Sequence, residues 1–195
     1  MPDSSEFSSI ACTGAHFSLG LCVDSELVFK GQYTQDAVSA QTQRWENLLR
    51  TFKSTYKSPA TFISRSPGRV NIIGEHIDYS LYPVLPMAIT SDAIFAVSCP
   101  SDSASTSKTF KIRISNVESE KFSACEFDIP YNRVDINIDS KIHKWTNYLK
   151  CGLKGALEFP RKTYSADFRP KAMNMLMDGS VPLGSGLSRP QIPGE

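Results

Sequence analysis

The chain has 195 residues, 41% of them apolar and 21% charged, which is the make-up of a soluble folded domain rather than a disordered segment. Lys plus Arg is 21 against 20 for Asp plus Glu, a net charge of +1, so neither nucleic acid nor an anionic membrane surface is an expected partner. The five cysteines (Cys12, Cys22, Cys99, Cys125 and Cys151) are widely spaced and form no C-x-x-C pair, which argues against a metal cluster or disulfide framework and for reduced thiols in a cytoplasmic protein.

Residues 1–36 are rich in Ser and small side chains and carry no clear period. Ile10 to Val23 is mildly apolar, but the first basic residue is Lys30, so the positive flank of a secretory signal is missing. No stretch reaches the ~18 consecutive apolar residues of a membrane span. From Ala37 to about Lys57 the pattern is helical: Trp45, Leu48, Leu49, Phe52 and Tyr56 build one apolar stripe, and Pro59 ends it.

Ala60 to about Asn137 reads as strands. Thr61–Arg65 is short and β-prone, Arg69–Ile73 follows Pro67 and Gly68, and Ala93–Val97 is a compact apolar run. Phe110, Ile112 and Ile114 alternate with polar residues as a half-buried strand should, and Ser101–Ser107 reads as an exposed turn. A second helix is expected from about Lys141 to Glu158, with Ile142, Trp145, Leu149, Leu153 and Leu157 on its apolar face and Pro160 closing it. Met173, Met175 and Met177 alternate as in a strand, and core packing accounts for them better than a redox or cofactor role. Strands, then a helix, then a strand give an α+β fold rather than a βαβ nucleotide-binding unit.

One segment concentrates polar chemistry: Ser66-Pro-Gly-Arg-Val-Asn-Ile-Ile-Gly-Glu-His-Ile-Asp-Tyr79, running on to Tyr82-Pro-Val-Leu-Pro-Met-Ala88. Arg69, Glu75, His76 and Asp78 lie within ten positions, beside Gly68 and Gly74, which permit tight backbone turns. Sugar hydroxyls need donors and acceptors together, and carboxylate, imidazole and guanidinium supply them. On residue chemistry alone, a polar turn with a surface ion pair fits the cluster equally well. A second segment, Pro182-Leu-Gly-Ser-Gly-Leu-Ser188, has the form of a phosphate loop, whose backbone N–H groups cradle phosphates.

The first segment closely resembles the galactokinase signature, and the second resembles the phosphate loop of the same family, which belongs to the galactokinase, homoserine, mevalonate and phosphomevalonate kinase superfamily. Trp145-Thr-Asn-Tyr-Leu-Lys-Cys-Gly152 is similar to a further family helix. The resemblance runs over residues 37–188 and implies a truncated N-terminal domain of a two-domain sugar kinase, a mixed sheet packed with helices. It implies that Glu75, His76 and Asp78, with Arg69, bind galactose. Arg69 would also stabilise the transferred phosphoryl group. Gly184, Ser185, Gly186 and Ser188 would hold ATP, with Mg2+ on the nucleotide. Trp145 would lie near the adenine, or alternatively pack its own helix. His16 and His143 match no family role, and no protein partner is implied.

Residues 189–195 depart from the family pattern. Arg189-Pro-Gln-Ile-Pro-Gly-Glu195 stands where further serines and a helix should follow, and two prolines so close together exclude a helix interior. The family's catalytic aspartate has no counterpart in these residues. The expectation is a galactokinase-type fragment with exposed apolar surface, low stability and little turnover alone. The alternatives are an N-acetylgalactosamine kinase and a non-catalytic, galactose-sensing relative that regulates transcription.

Overall fold

The computed structural model describes residues 19–21, 33–74, 77, 80–100, 108–131, 136, 138, 144–163 and 170–181. Among the described residues there are six strands: β1 (Leu19–Leu21), β2 (Phe62–Ile73), β3 (Leu85–Ser98), β4 (Thr109–Asn116), β5 (Cys125–Pro130) and β6 (Met173–Gly179). Two α-helices accompany them, α1 (Val38–Tyr56) and α2 (Thr146–Thr163). The strands form one sheet in the order β1-β2-β3-β6-β4-β5. Every pair is antiparallel except β4 with β6, which is parallel. A parallel pair needs a long crossover, and here β5 and α2 lie between β4 and β6 in the chain. The expected mixed sheet packed with helices is therefore the architecture observed.

α1 forms where the apolar stripe predicts it. A 3-10 turn at Gln35–Ala37 leads in, and Lys57, in the left-handed conformation at φ 57°, ends the helix by donating its N–H to the Lys53 carbonyl. Trp45, Leu48 and Phe52 are buried, and Leu49 and Tyr56 flank them. They pack on Ile63, Ile94, Ala96 and Leu176, which share one sheet face through the pairs Ile63–Ala96 and Ala96–Leu176. The opposite face carries a second core of Phe110, Ile112, Ile129 and Leu157, with Met173 and Met175 packed against it. The strict alternation of β4 and the methionine alternation of β6 are thus core packing on that face.

Three local features differ from the sequence expectation. β2 is one strand rather than two, because a register shift between Pro67 and Arg69 absorbs the proline as a bulge. α2 starts at Thr146 and continues past Pro160 to Thr163. Proline cannot donate an N–H to the Ala156 carbonyl, and Ala156 is exposed, within the last two turns of the helix. Within the aperiodic residues 1–36, Leu19–Leu21 adds β1 to β2, and Tyr33 is buried in the α1 core. The expected turn at Ser101–Ser107 lies outside the described residues.

The apolar surface expected of the chain is present at the far end of the β2–β3 ribbon. Ile73, Leu81, Tyr82 and Leu85 are each more than half exposed, a concentration unusual for a monomer surface.

Candidate functional site

The signature segment occupies the second half of β2 and the turn that follows it. Gly68 stands in the bulge, where a Cβ would lie 3.0 Å from the Ile89 side chain and 3.0 Å from the Ser91 carbonyl. A side chain at residue 68 would require β3 to give by a few tenths of an ångström. Arg69 follows at once and pairs with Ala88 across the ribbon. Its Nη1 donates to Oδ1 of Asn71, and Asn71 Nδ2 in turn donates to the Gly74 carbonyl at 3.3 Å. Asn71 thereby links the guanidinium to the turn. Gly74 has φ +97°, a conformation that L side chains rarely adopt, and its Cβ would meet Val84 Cγ1 at 2.7 Å. Backbone conformation calls for glycine at 74, and close packing favours it at 68.

Beside the bulge lies a cavity of 460 Å³ between the sheet and the first turns of α2. Ser66, Pro67 and Gly68 form one wall, and Phe95, Ile114 and Met177 form the floor. Trp145, Tyr148 and Leu149 approach from α2, and Phe122 and Asn116 close a further side. Trp145 Nε1 donates to the Ser123 carbonyl at 3.1 Å, and its ring meets Phe122 edge-on at 5.9 Å. The size lies in the range of small-ligand sites, and aromatic walls with a few polar groups suit a flat heterocycle.

Of the residues singled out from the sequence, Arg69 and Trp145 are described, Trp145 lining the cavity and Arg69 adjoining its wall at Gly68. Glu75, His76 and Asp78 lie outside the described residues, as do Gly184, Ser185, Gly186 and Ser188. Val181, directly before the glycine-rich segment, also lines the cavity.

A group that sequence reasoning missed is Asp92, whose side chain is 0% exposed. It accepts hydrogen bonds from Tyr33 at 2.7 Å, Arg44 at 2.5 Å and Arg65 at 2.5 Å. Burial pushes its carboxyl up, but the hydrogen bonds from Arg44, Tyr33 and Arg65 outweigh burial and hold it below the ordinary 3.8. Burial, reinforced by Asp92, pushes the Tyr33 hydroxyl up. Arg44 is opposed by burial yet held above its ordinary value by Asp92 and Asp178. One signal was available in the sequence. Asp92 is in phase with Ile94 and Ala96, and an acid in phase with buried apolar positions needs a buried partner.

Comparison with known proteins places these features in a family. Residues 50–99 match the galactokinase galactose-binding signature. The chain is 43% identical over 151 residues to a galactokinase of Candida parapsilosis, covering 77% of this chain and 28% of that one. It is 38% identical over 149 residues to a galactokinase of Saccharomyces cerevisiae, covering 75% of this chain and 27% of the relative. The crystal structure of Lactococcus lactis galactokinase complexed with galactose superposes with a TM-score of 0.52 at 27% identity, over 74% of this chain and 33% of that one. The chain thus spans 27–28% of the length of the two fungal relatives. In signature, sequence and fold alike, the chain is similar to one part of the galactokinase length.

Proposed function

We propose that the chain is the sugar-binding part of a galactokinase-type sugar kinase, the reaction being ATP-dependent phosphorylation of galactose at its anomeric hydroxyl. The observation that carries this reading is the signature over residues 50–99, which contains Arg69, Gly74, Glu75, His76 and Asp78. In this reading Glu75, His76 and Asp78 bind the sugar hydroxyls as hydrogen-bonding groups of both kinds. Arg69, tied to the turn by Asn71, places a permanent positive charge where the transferred phosphoryl group develops negative charge.

The nucleotide fits the cavity beside the bulge. Its aromatic and apolar walls, Trp145 among them, suit the adenine ring. Residues 184–188 begin three positions after Val181, which lines the cavity, and would take the phosphates, with Mg2+ arriving on the nucleotide. ATP supplies the phosphoryl group; the residues of this chain bind, orient and shield. Within these 195 residues the reading predicts sugar binding.

Thermal unfolding of the purified chain tests this. A ligand that binds only the folded state raises the midpoint, by about 2.7 kcal/mol of added stability at a hundred times its dissociation constant. Galactose should raise the midpoint where glucose does not, and Asp78→Ala should abolish the shift. Equal responses to the two sugars, or none to either, would remove the reading.

A further inference from the structure

Asp92 borders the cavity proposed for the nucleotide but has no binding role in the reading above, and its buried side chain has several partners. Besides Tyr33, Arg44 and Arg65, its carboxylate accepts from Ser180 Oγ at 3.3 Å. Its backbone is tied to the same residue as well: Asp92 N–H donates to Ser180 Oγ at 2.9 Å, and the Asp92 carbonyl accepts from Ser180 N–H at 2.8 Å and lies 3.2 Å from Ser180 Oγ. Arg44 extends the cluster to Asp178 through the carboxylate at 3.2 Å and the carbonyl at 3.1 Å. Two acids and two guanidinium groups therefore balance one another where water is largely excluded.

Stability alone does not call for such a cluster. Taking four charges out of water is costly, and well-packed apolar side chains in their place are often as stable or more so. Ions give direction instead, because each hydrogen bond fixes an angle and a distance. What this cluster fixes is particular. Arg65 lies on β2, immediately before the bulge that presents Arg69. Asp178 and Ser180 lie at the end of β6, with Ser180 two residues before the glycine-rich segment begins at Pro182. Asp92 sits between them on β3, and its strand partner Pro67 is part of the bulge itself.

We propose that Asp92 is a positioning residue that holds the two motif-bearing segments in register, the Arg69 segment through Arg65 and the origin of the glycine-rich segment through Ser180. The significance of that register rests on the kinase reading above, in which one segment faces the sugar and the other leads to the nucleotide phosphates. The register itself is measurable without any ligand.

Amide hydrogen exchange on the full chain, resolved by segment, tests it in wild type, Asp92→Asn and Ser180→Ala. In Asp92→Asn, exchange should accelerate about tenfold or more at both Gly68–Asn71 and Ser180–Val181, while Ile112–Ile114 of β4 changes by less than about threefold. Ser180→Ala removes only the hydroxyl links and should loosen Ser180–Val181 without loosening Gly68–Asn71. It serves as the second arm if the asparagine variant fails to fold. Uniform acceleration in all strands, or no acceleration at Ser180–Val181 in Ser180→Ala, would overturn the proposal. Galactose binding measured on the same samples separates the two readings. A wild-type chain that ignores galactose counts against the proposed function and leaves the exchange result standing.

Discussion

Gly74 and Gly155 undergo the same substitution with opposite consequences, and the difference is set by geometry. At Gly74, alanine must hold φ at +97°. Backbone held in such a sparsely populated region costs about 1–3 kcal/mol. The new Cβ also meets Val84, 2.7 Å from Cγ1 and 3.2 Å from Cα, and the second contact is with backbone that cannot swing aside. Overpacking of that kind adds about 1–3 kcal/mol, so Gly74→Ala should destabilise by about 2–6 kcal/mol in all. Gly155 lies on the exposed side of α2, and a Cβ added there would have nothing within 4 Å. Alanine at this position gains helix propensity and restricts the unfolded chain, for about 0.5–1 kcal/mol of added stability. Urea unfolding followed by far-UV circular dichroism reads both. At a slope of roughly 2 kcal/mol per molar, Gly74→Ala should lower the midpoint by about 1–3 M, and Gly155→Ala should raise it by a few tenths. A Gly74→Ala midpoint indistinguishable from wild type, or a clear fall for Gly155→Ala, would refute the reasoning from backbone conformation and space.

Two further outcomes follow from the packing. Phe52→Ala empties the centre of the α1 core, where the ring is 0% exposed, and should cost about 3–5 kcal/mol by the same urea assay. Asp92→Ala leaves two buried guanidinium groups without their shared partner and should cost about 3–5 kcal/mol at pH 7. The sign of its pH dependence is set by the folded carboxyl lying below the ordinary 3.8. The stabilisation from ionised Asp92 is complete above about pH 4 and is lost as pH falls through the lower folded-state value. The stability gap between wild type and Asp92→Ala should therefore be constant from about pH 5 to 7 and narrow below about pH 4; a gap that widens in acid would contradict the buried ion cluster.

Much of the secondary structure was legible because it is written in local periods. The stripe Trp45, Leu48, Leu49, Phe52 and Tyr56 repeats at the helical period, and the alternation of Phe110, Ile112 and Ile114 repeats at the strand period; both faces are buried as the patterns require. The signature segment was legible for a different reason. It is one continuous run of residue types, and within it Arg69, Asn71 and Gly74 are joined by short-range hydrogen bonds. Where local rules meet a tertiary demand, they give way. Pro160 lies in the last turn of α2, which continues to Thr163, and Pro67 stays within β2 because the bulge accepts it.

By itself, then, the sequence determined the two helices, most of the strands and the location of the galactokinase-like segment, all of which depend on residues within a few positions of one another. Only the tertiary structure decided the rest. It sets the sheet order, which seats β6 between β3 and β4, and it creates the cavity between Trp145 and the bulge at Gly68. It also gathers Tyr33, Arg44, Arg65 and Ser180 around Asp92. Those partners lie 59, 48, 27 and 88 positions from Asp92 in the chain, beyond the reach of any local period. A buried carboxylate is stable only when folding delivers its counter-charges, and no short stretch of sequence records which distant residues those will be.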